Sequence, residues 1–71
     1  MDHEALQDLI DAQPFQPFRI HTNDGRTYDV QNPSLIHQLK TQVFYAYPNS
    51  DRFALIQLRH IASVEVLERA A

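Results

Sequence analysis

The sequence predicts a mostly β domain with an N-terminal α-helix, its body a small five-stranded, strongly bent antiparallel sheet or partly open barrel. Three observations lead there. An apolar i, i+3, i+4 stripe at the start of the chain stops before a proline, a hairpin can be registered around the single glycine, and two further β-prone runs flank the turn Pro48-Asn49-Ser50-Asp51. With 71 residues there is room for one domain, 1–71, made of a helix over 2–12 and a β-barrel body over 18–67. A chain of this size hides only ~60% of its unfolded surface. Its stability is therefore expected to be small or shared with a partner.

Asp2 is positioned to cap the helix, Glu4 suits the positive end of its dipole, and Ala5, Leu6, Leu9 and Ile10 form the stripe. Pro14 ends it. About three turns of helix are marginal alone in water, so the stripe needs the β-body to pack on. The connector Pro14-Phe15-Gln16-Pro17-Phe18 reads as extended, with Phe15 and Phe18 anchoring helix to sheet. Pro14 and Pro17 also have the spacing of a proline-rich ligand. In so short a chain a structural connector is the simpler reading.

Asp24-Gly25 lies between two β-prone runs, and side-chain matching chooses the loop length. A two-residue loop would set Ile20 against Asp29 and Arg19 against Val30, an apolar group against a charge both times. A three-residue loop, Asn23-Asp24-Gly25, pairs Phe18 with Val30, Ile20 with Tyr28, Arg19 with Asp29 and His21 with Thr27. Gly25 then takes the positive φ that follows a type I turn. Phe18, Ile20, Tyr28 and Val30 become one buried face, and Arg19, His21, Thr27 and Asp29 face water.

Further on, Asn32-Pro33 resembles a cap and a first-turn proline, which predicts a helical turn over 34–39. Residues 43–47 and 52–58 form the expected second hairpin. Both of its faces are apolar: Phe44, Phe53 and Leu55 on one, Val43, Tyr45, Ile56 and Leu58 on the other. That is too much hydrophobe for a sheet with one wet face. Either the N-terminal helix or another subunit must cover the second side, and Val43, Tyr45, Ile56 and Leu58 are the expected interface. His60-Ile61-Ala62 reads as a brief turn, 63–67 as a last strand with Val64 and Val66 inward, and Arg69-Ala70-Ala71 as a frayed end. A helix followed by five short, bent strands suggests a barrel of the SH3 or Sm-like kind.

Composition narrows function without naming it. The net charge of -3 is uneven: Asp2, Glu4, Asp8 and Asp11 load the first twelve residues with acid, and the remainder has six bases against five acids. No basic stripe of the kind that holds nucleic acid by counterion release is visible. There is no cysteine, which suits a reducing compartment, and cytoplasm is the expected location. No apolar run approaches the ~20 residues of a membrane span, and Met1-Asp2-His3-Glu4 is acidic where a signal peptide would be basic. His3, His21, His37 and His60 lack metal-pair spacing, so neither metal nor cofactor is expected. Ser34, Ser50 and Ser63 have no nucleophile context, and Asp29 and Asp51 suit pairing and turns, so catalysis is not expected either. Tyr28, Tyr45 and Tyr47 with Phe44 form either core or a base-stacking platform.

Gln13-Pro14-Phe15-Gln16-Pro17-Phe18-Arg19-Ile20, the later Asp24-Gly25-Arg26, and Ile61-Ala62-Ser63-Val64-Glu65-Val66 resemble a group of small uncharacterised bacterial proteins with a PFRPFRI and DGR pattern. The likeness spans nearly the whole chain and implies no activity. More distantly, Pro17-Phe18-Arg19-Ile20 through Gly25, together with Leu58-Arg59-His60-Ile61-Ala62-Ser63, resembles the Hfq branch of the Sm-like RNA-binding proteins. Leu58 stands where that family has an aromatic, and Ile61 and Ala62 are in reversed order. That resemblance implies single-stranded RNA binding through Arg59 and His60, with Tyr45 as the aromatic. Two functions follow. One is a non-catalytic small-barrel assembly module, a homo-oligomer that could also bind another protein; the other is an Sm-like RNA-binding ring, which the charge balance disfavours.

Overall fold

Strand β1 (Phe18–Thr22) is paired on both edges, with β2 (Thr27–Val30) on one side and β6 (Ile61–Val66) on the other. These three make the first antiparallel sheet, and β3 (Ile36–Gln38), β4 (Gln42–Ala46) and β5 (Phe53–Gln57) make the second, in the order β3-β4-β5. A single α-helix, α1 (His3–Asp11), precedes them. The computed structural model describes residues 2–67, so the expected fraying at Arg69-Ala70-Ala71 lies outside the described residues.

The β1–β2 register is the one that charge matching requires: Phe18 opposite Val30, Arg19 opposite Asp29, Ile20 opposite Tyr28 and His21 opposite Thr27. Thr22 N–H donates to the Arg26 carbonyl at 3.0 Å and Gly25 N–H to the Thr22 carbonyl at 3.1 Å, closing a loop over 23–25 with Gly25 at φ +85°. The Asp24 carboxylate accepts from the Arg26 amide at 3.2 Å and from the Thr22 hydroxyl, which locks the turn from inside. In the second hairpin the left-handed position, φ +59°, falls to Asn49, a residue that tolerates it.

The inner faces of the two sheets meet in one core. Phe18, Ile20 and Val30 are fully buried from the first sheet and Val43 from the second, and Leu6 of α1 closes the gap between them. The helix is capped by Asp2, whose carboxylate accepts the Glu4 amide at 3.3 Å, and Leu9 and Ile10 pack against the core edge as their spacing predicts. Gln38 of β3 donates to Gln7 of α1 at 2.8 Å, which places the helix beside the short strand. Phe15 packs on Phe18 with ring centres 5.8 Å apart.

The mostly β fold with an N-terminal helix is as expected, and the expectation of a five-stranded bent sheet or partly open barrel is corrected in its strand count. There are six strands in two sheets among the described residues, and the pairing does not close into a barrel. The extra strand arises where a helical turn was expected over 34–39. Asn32 caps and Pro33 starts a 3-10 turn, but it stops at Leu35, because Ile36 is drawn into the core opposite Tyr45 and extends the chain into β3. A second 3-10 turn, Leu58–His60, replaces the turn expected at His60-Ile61-Ala62, and β6 begins at Ile61. The shift of pairing between His21 and Thr22 leaves Ala62 as a bulge. Val64 packs inward as expected, whereas Val66, near the sheet's end, keeps 47% of its surface exposed.

Nothing lies within 4 Å of a Cβ built on Gly25, so a side chain there meets only backbone strain. Gly25→Val should lower the unfolding free energy by ~1–2 kcal/mol in urea titrations, and Gly25→Asn by clearly less.

Candidate interaction surface

The outer faces of the two sheets differ sharply in chemistry. On the first sheet Arg19 stands between Asp29 and Glu65 in register, and its guanidinium grips Asp29 through Nε at 2.7 Å and Nη2 at 3.2 Å. His21 Nε2 lies 3.1 Å from Glu65 Oε1. The hydrogen bond from Arg19 is the main cause that holds the Asp29 carboxyl below its ordinary range. This face satisfies its own polar groups and suits water.

On the second sheet the alternation of side chains turns His37, Gln42, Phe44, Ala46, Phe53, Leu55 and Gln57 outward. None of these is Asp, Glu, Lys or Arg. The Phe44 and Phe53 rings stack with centres 5.2 Å apart at 19°, and Leu55 pairs directly with Phe44. Phe53 is 59% exposed and Leu55 52%. Beside this face, a groove of about 490 Å³ runs between the β1–β2 hairpin and β5, lined among others by Thr22, Arg26, Tyr28, Leu55 and Gln57.

The expected interface set is corrected. Val43, Tyr45, Ile56 and Leu58 are all buried in the chain's own core. What covers them is the first sheet: the Tyr28 ring meets Tyr45 edge-on at 5.5 Å. Of the expected RNA-binding residues, Arg59 and His60 stand together and exposed on the 3-10 turn. Tyr45 does not join them. It is 3% exposed, donates its hydroxyl to the Asp29 carbonyl at 2.7 Å, and burial raises its pKa. The tyrosines are thus a core cluster and not a stacking platform, with Tyr47 at its margin and the Arg52 guanidinium 5.2 Å above the Tyr47 ring.

Among the described residues no three His, Cys, Asp or Glu side chains are grouped to hold a metal ion, and no helix is long and apolar enough to cross a membrane. No protein-family model, curated protein or solved structure matches this chain. The groove-lining residues Thr22 and Arg26 had no signal in the sequence beyond their turn role, since their relation to β5 is set by how the two sheets dock. The apolar outer face did have one, in the alternation of Phe53 and Leu55 with Phe44.

Because the Asp29 pKa is lower folded than unfolded, its contribution is present above about pH 4 and disappears as pH falls through the folded value. Asp29→Asn should therefore have a lower thermal midpoint than wild type at pH 7, and the gap should shrink in melts recorded toward about pH 2.

Proposed function

We propose that this chain is a non-catalytic interaction module that associates with a second copy of itself through the outer face of the β3-β4-β5 sheet. The stacked Phe44–Phe53 pair, with exposed Leu55 beside it on a face without Asp, Glu, Lys or Arg, carries this reading. Such a face is its own complement: two copies related by a twofold axis can pack sheet on sheet at ~10 Å with the aromatic pairs interdigitated. Like charges do not meet across it. Three strands at ~4.8 Å spacing, five residues long at ~3.4 Å per residue in β4 and β5, cover roughly 14 by 17 Å. A standard interface buries ~800 Å² per partner, so this smaller contact should be weak and transient.

The finer fold reading is a partly open barrel of the SH3 or Sm-like kind. It is supported by the return of the last strand to β1 after a 3-10 turn, with β2 and β3 taken as one bent strand interrupted at Asn32-Pro33. The adjacent, exposed Arg59 and His60 favour RNA as the second reading. That reading loses Tyr45 as its aromatic and has no other on the same turn.

Sedimentation velocity across the micromolar range should give a mass rising from the 8.3 kDa monomer toward twice that value. Leu55→Glu, on an exposed position, should stay monomeric throughout with an unchanged circular dichroism spectrum. A wild type that is monomeric at every concentration would overturn the self-association reading. Binding of oligo(U) at low salt that is lost in Arg59→Ala with His60→Ala would put the RNA ring in its place.

A further inference from the structure

The hairpin that joins β3 to β4 closes where Leu39 N–H donates to the Gln42 carbonyl at 2.8 Å, and its tip is Lys40-Thr41. Both residues are exposed. The ladder between β4 and β5 ends with Gln42 opposite Gln57, and one further bond, from Leu58 N–H to the Thr41 carbonyl at 3.1 Å, carries the contact into the 3-10 turn Leu58–His60. That bond holds the two turns together. Lys40 and Arg59 are the next residues out on the two sides, so the backbone itself gathers two basic residues at one end of the sheet.

A cleft of about 420 Å³ opens there, lined by Lys40, Thr41, Gln57, Leu58 and Arg59. None of these is acidic. Neither Lys40 nor Arg59 forms an ion pair among the described residues, whereas Arg19 and Arg26 each have an aspartate beside them. Like charges set across from each other repel and lower stability, and an anion held between them reverses the sign of that interaction. The Thr41 hydroxyl and the Gln57 amide add uncharged donors to the same lining. Arg59 is parted from its neighbour here, because His60 lines the other groove, beside the β1–β2 hairpin.

We infer that this cleft is a binding site for the phosphate group of a small phosphomonoester. Charge chooses the ligand class. A monoester carries about -1.5 to -2 at neutral pH and three strong acceptor oxygens, which matches two cations and two neutral donors. A carboxylate or a phosphodiester, with a single charge, leaves one cation uncompensated. In the bound state Lys40 acts on the phosphate as a point charge, and the Arg59 guanidinium donates a parallel pair of hydrogen bonds. The volume is that of a small-molecule pocket, which leaves room for the organic part of the ligand. The site is built within one chain, and of its lining residues only Gln57 belongs to the apolar outer face through which copies associate.

Monoethyl phosphate, diethyl phosphate and propionate are the probes, titrated at fixed ionic strength against the full chain while NMR follows its backbone amides. Monoethyl phosphate should shift the Thr41 and Arg59 amides and bind at least about fivefold more tightly than either singly charged probe. Lys40→Gln and Arg59→Gln, both on exposed side chains, should each weaken it about fivefold. Arg52→Gln removes the same charge at the other end of β5 and should leave binding unchanged, which separates a site from an effect of net charge. Absence of shifts at tens of millimolar monoethyl phosphate, equal binding of monoester and diester, no effect of Lys40→Gln and Arg59→Gln, or equal weakening by all three substitutions would overturn the proposal. Oligo(U) without a terminal phosphate that displaces monoethyl phosphate, and no longer binds Arg59→Gln, would give the cleft to RNA and overturn it too. Oligomer mass bears only on the sheet face.

Discussion

Pairing of β1 on both of its edges is the constraint on which the rest of the fold depends. A strand held between β2 and β6 has no free peptide groups to offer, so its inward side chains, Phe18 and Ile20, can be buried completely. The chain entering β1 and the chain leaving β6 are tied at the same place, where Leu67 N–H donates to the Pro17 carbonyl at 2.9 Å. At the opposite end Asn23 N–H reaches the His60 carbonyl at 2.8 Å and fastens the hairpin loop to the 3-10 turn. The second sheet is tied to the first through the Tyr45 hydroxyl, which donates to the Asp29 carbonyl. It packs in one core with the buried side chains of β1 and β2, where the Tyr28 ring meets Tyr45.

A chain this small runs out of covering material. The inner face of each sheet is used on the other, and α1 contributes one fully buried side chain, Leu6, near β3. Among the described residues nothing shields the outer faces. The first sheet resolves this with charge, since Arg19, Asp29, His21 and Glu65 pair across three strands. The second leaves Phe44, Phe53 and Leu55 in water, where burial is worth ~25 cal/mol per Å² of apolar surface removed. The proposed interaction surface is therefore the apolar face that the described residues leave uncovered.

Legibility in the sequence follows the range of the forces involved. The helix with its Asp2 cap, the β1–β2 register and the second hairpin depend on neighbours within about a dozen residues, and each was readable. One local signal was overridden. Asn32-Pro33 starts a turn as its chemistry requires, but core demand for Ile36 opposite Tyr45 cuts that turn short and makes a sixth strand. The apolar doublet of the second hairpin was readable as two faces, yet nothing local told which would be buried. Val43, Tyr45, Ile56 and Leu58 are inside because they share one core with the first sheet, whose Tyr28, seventeen residues before Tyr45, meets the Tyr45 ring.

The amino-acid order by itself determined the helix, the turn at Gly25 and the pairing of charge with charge and apolar with apolar in the first hairpin. Those choices are settled by propensity, capping and cross-strand matching between residues close in the chain. Only the tertiary structure decided that the two sheets stay separate, which face of β4 and β5 is exposed, and that one edge of β5 has no strand partner among the described residues. Those outcomes follow from how two preformed hairpin surfaces dock, a competition for burial among residues far apart in sequence that no local pattern encodes.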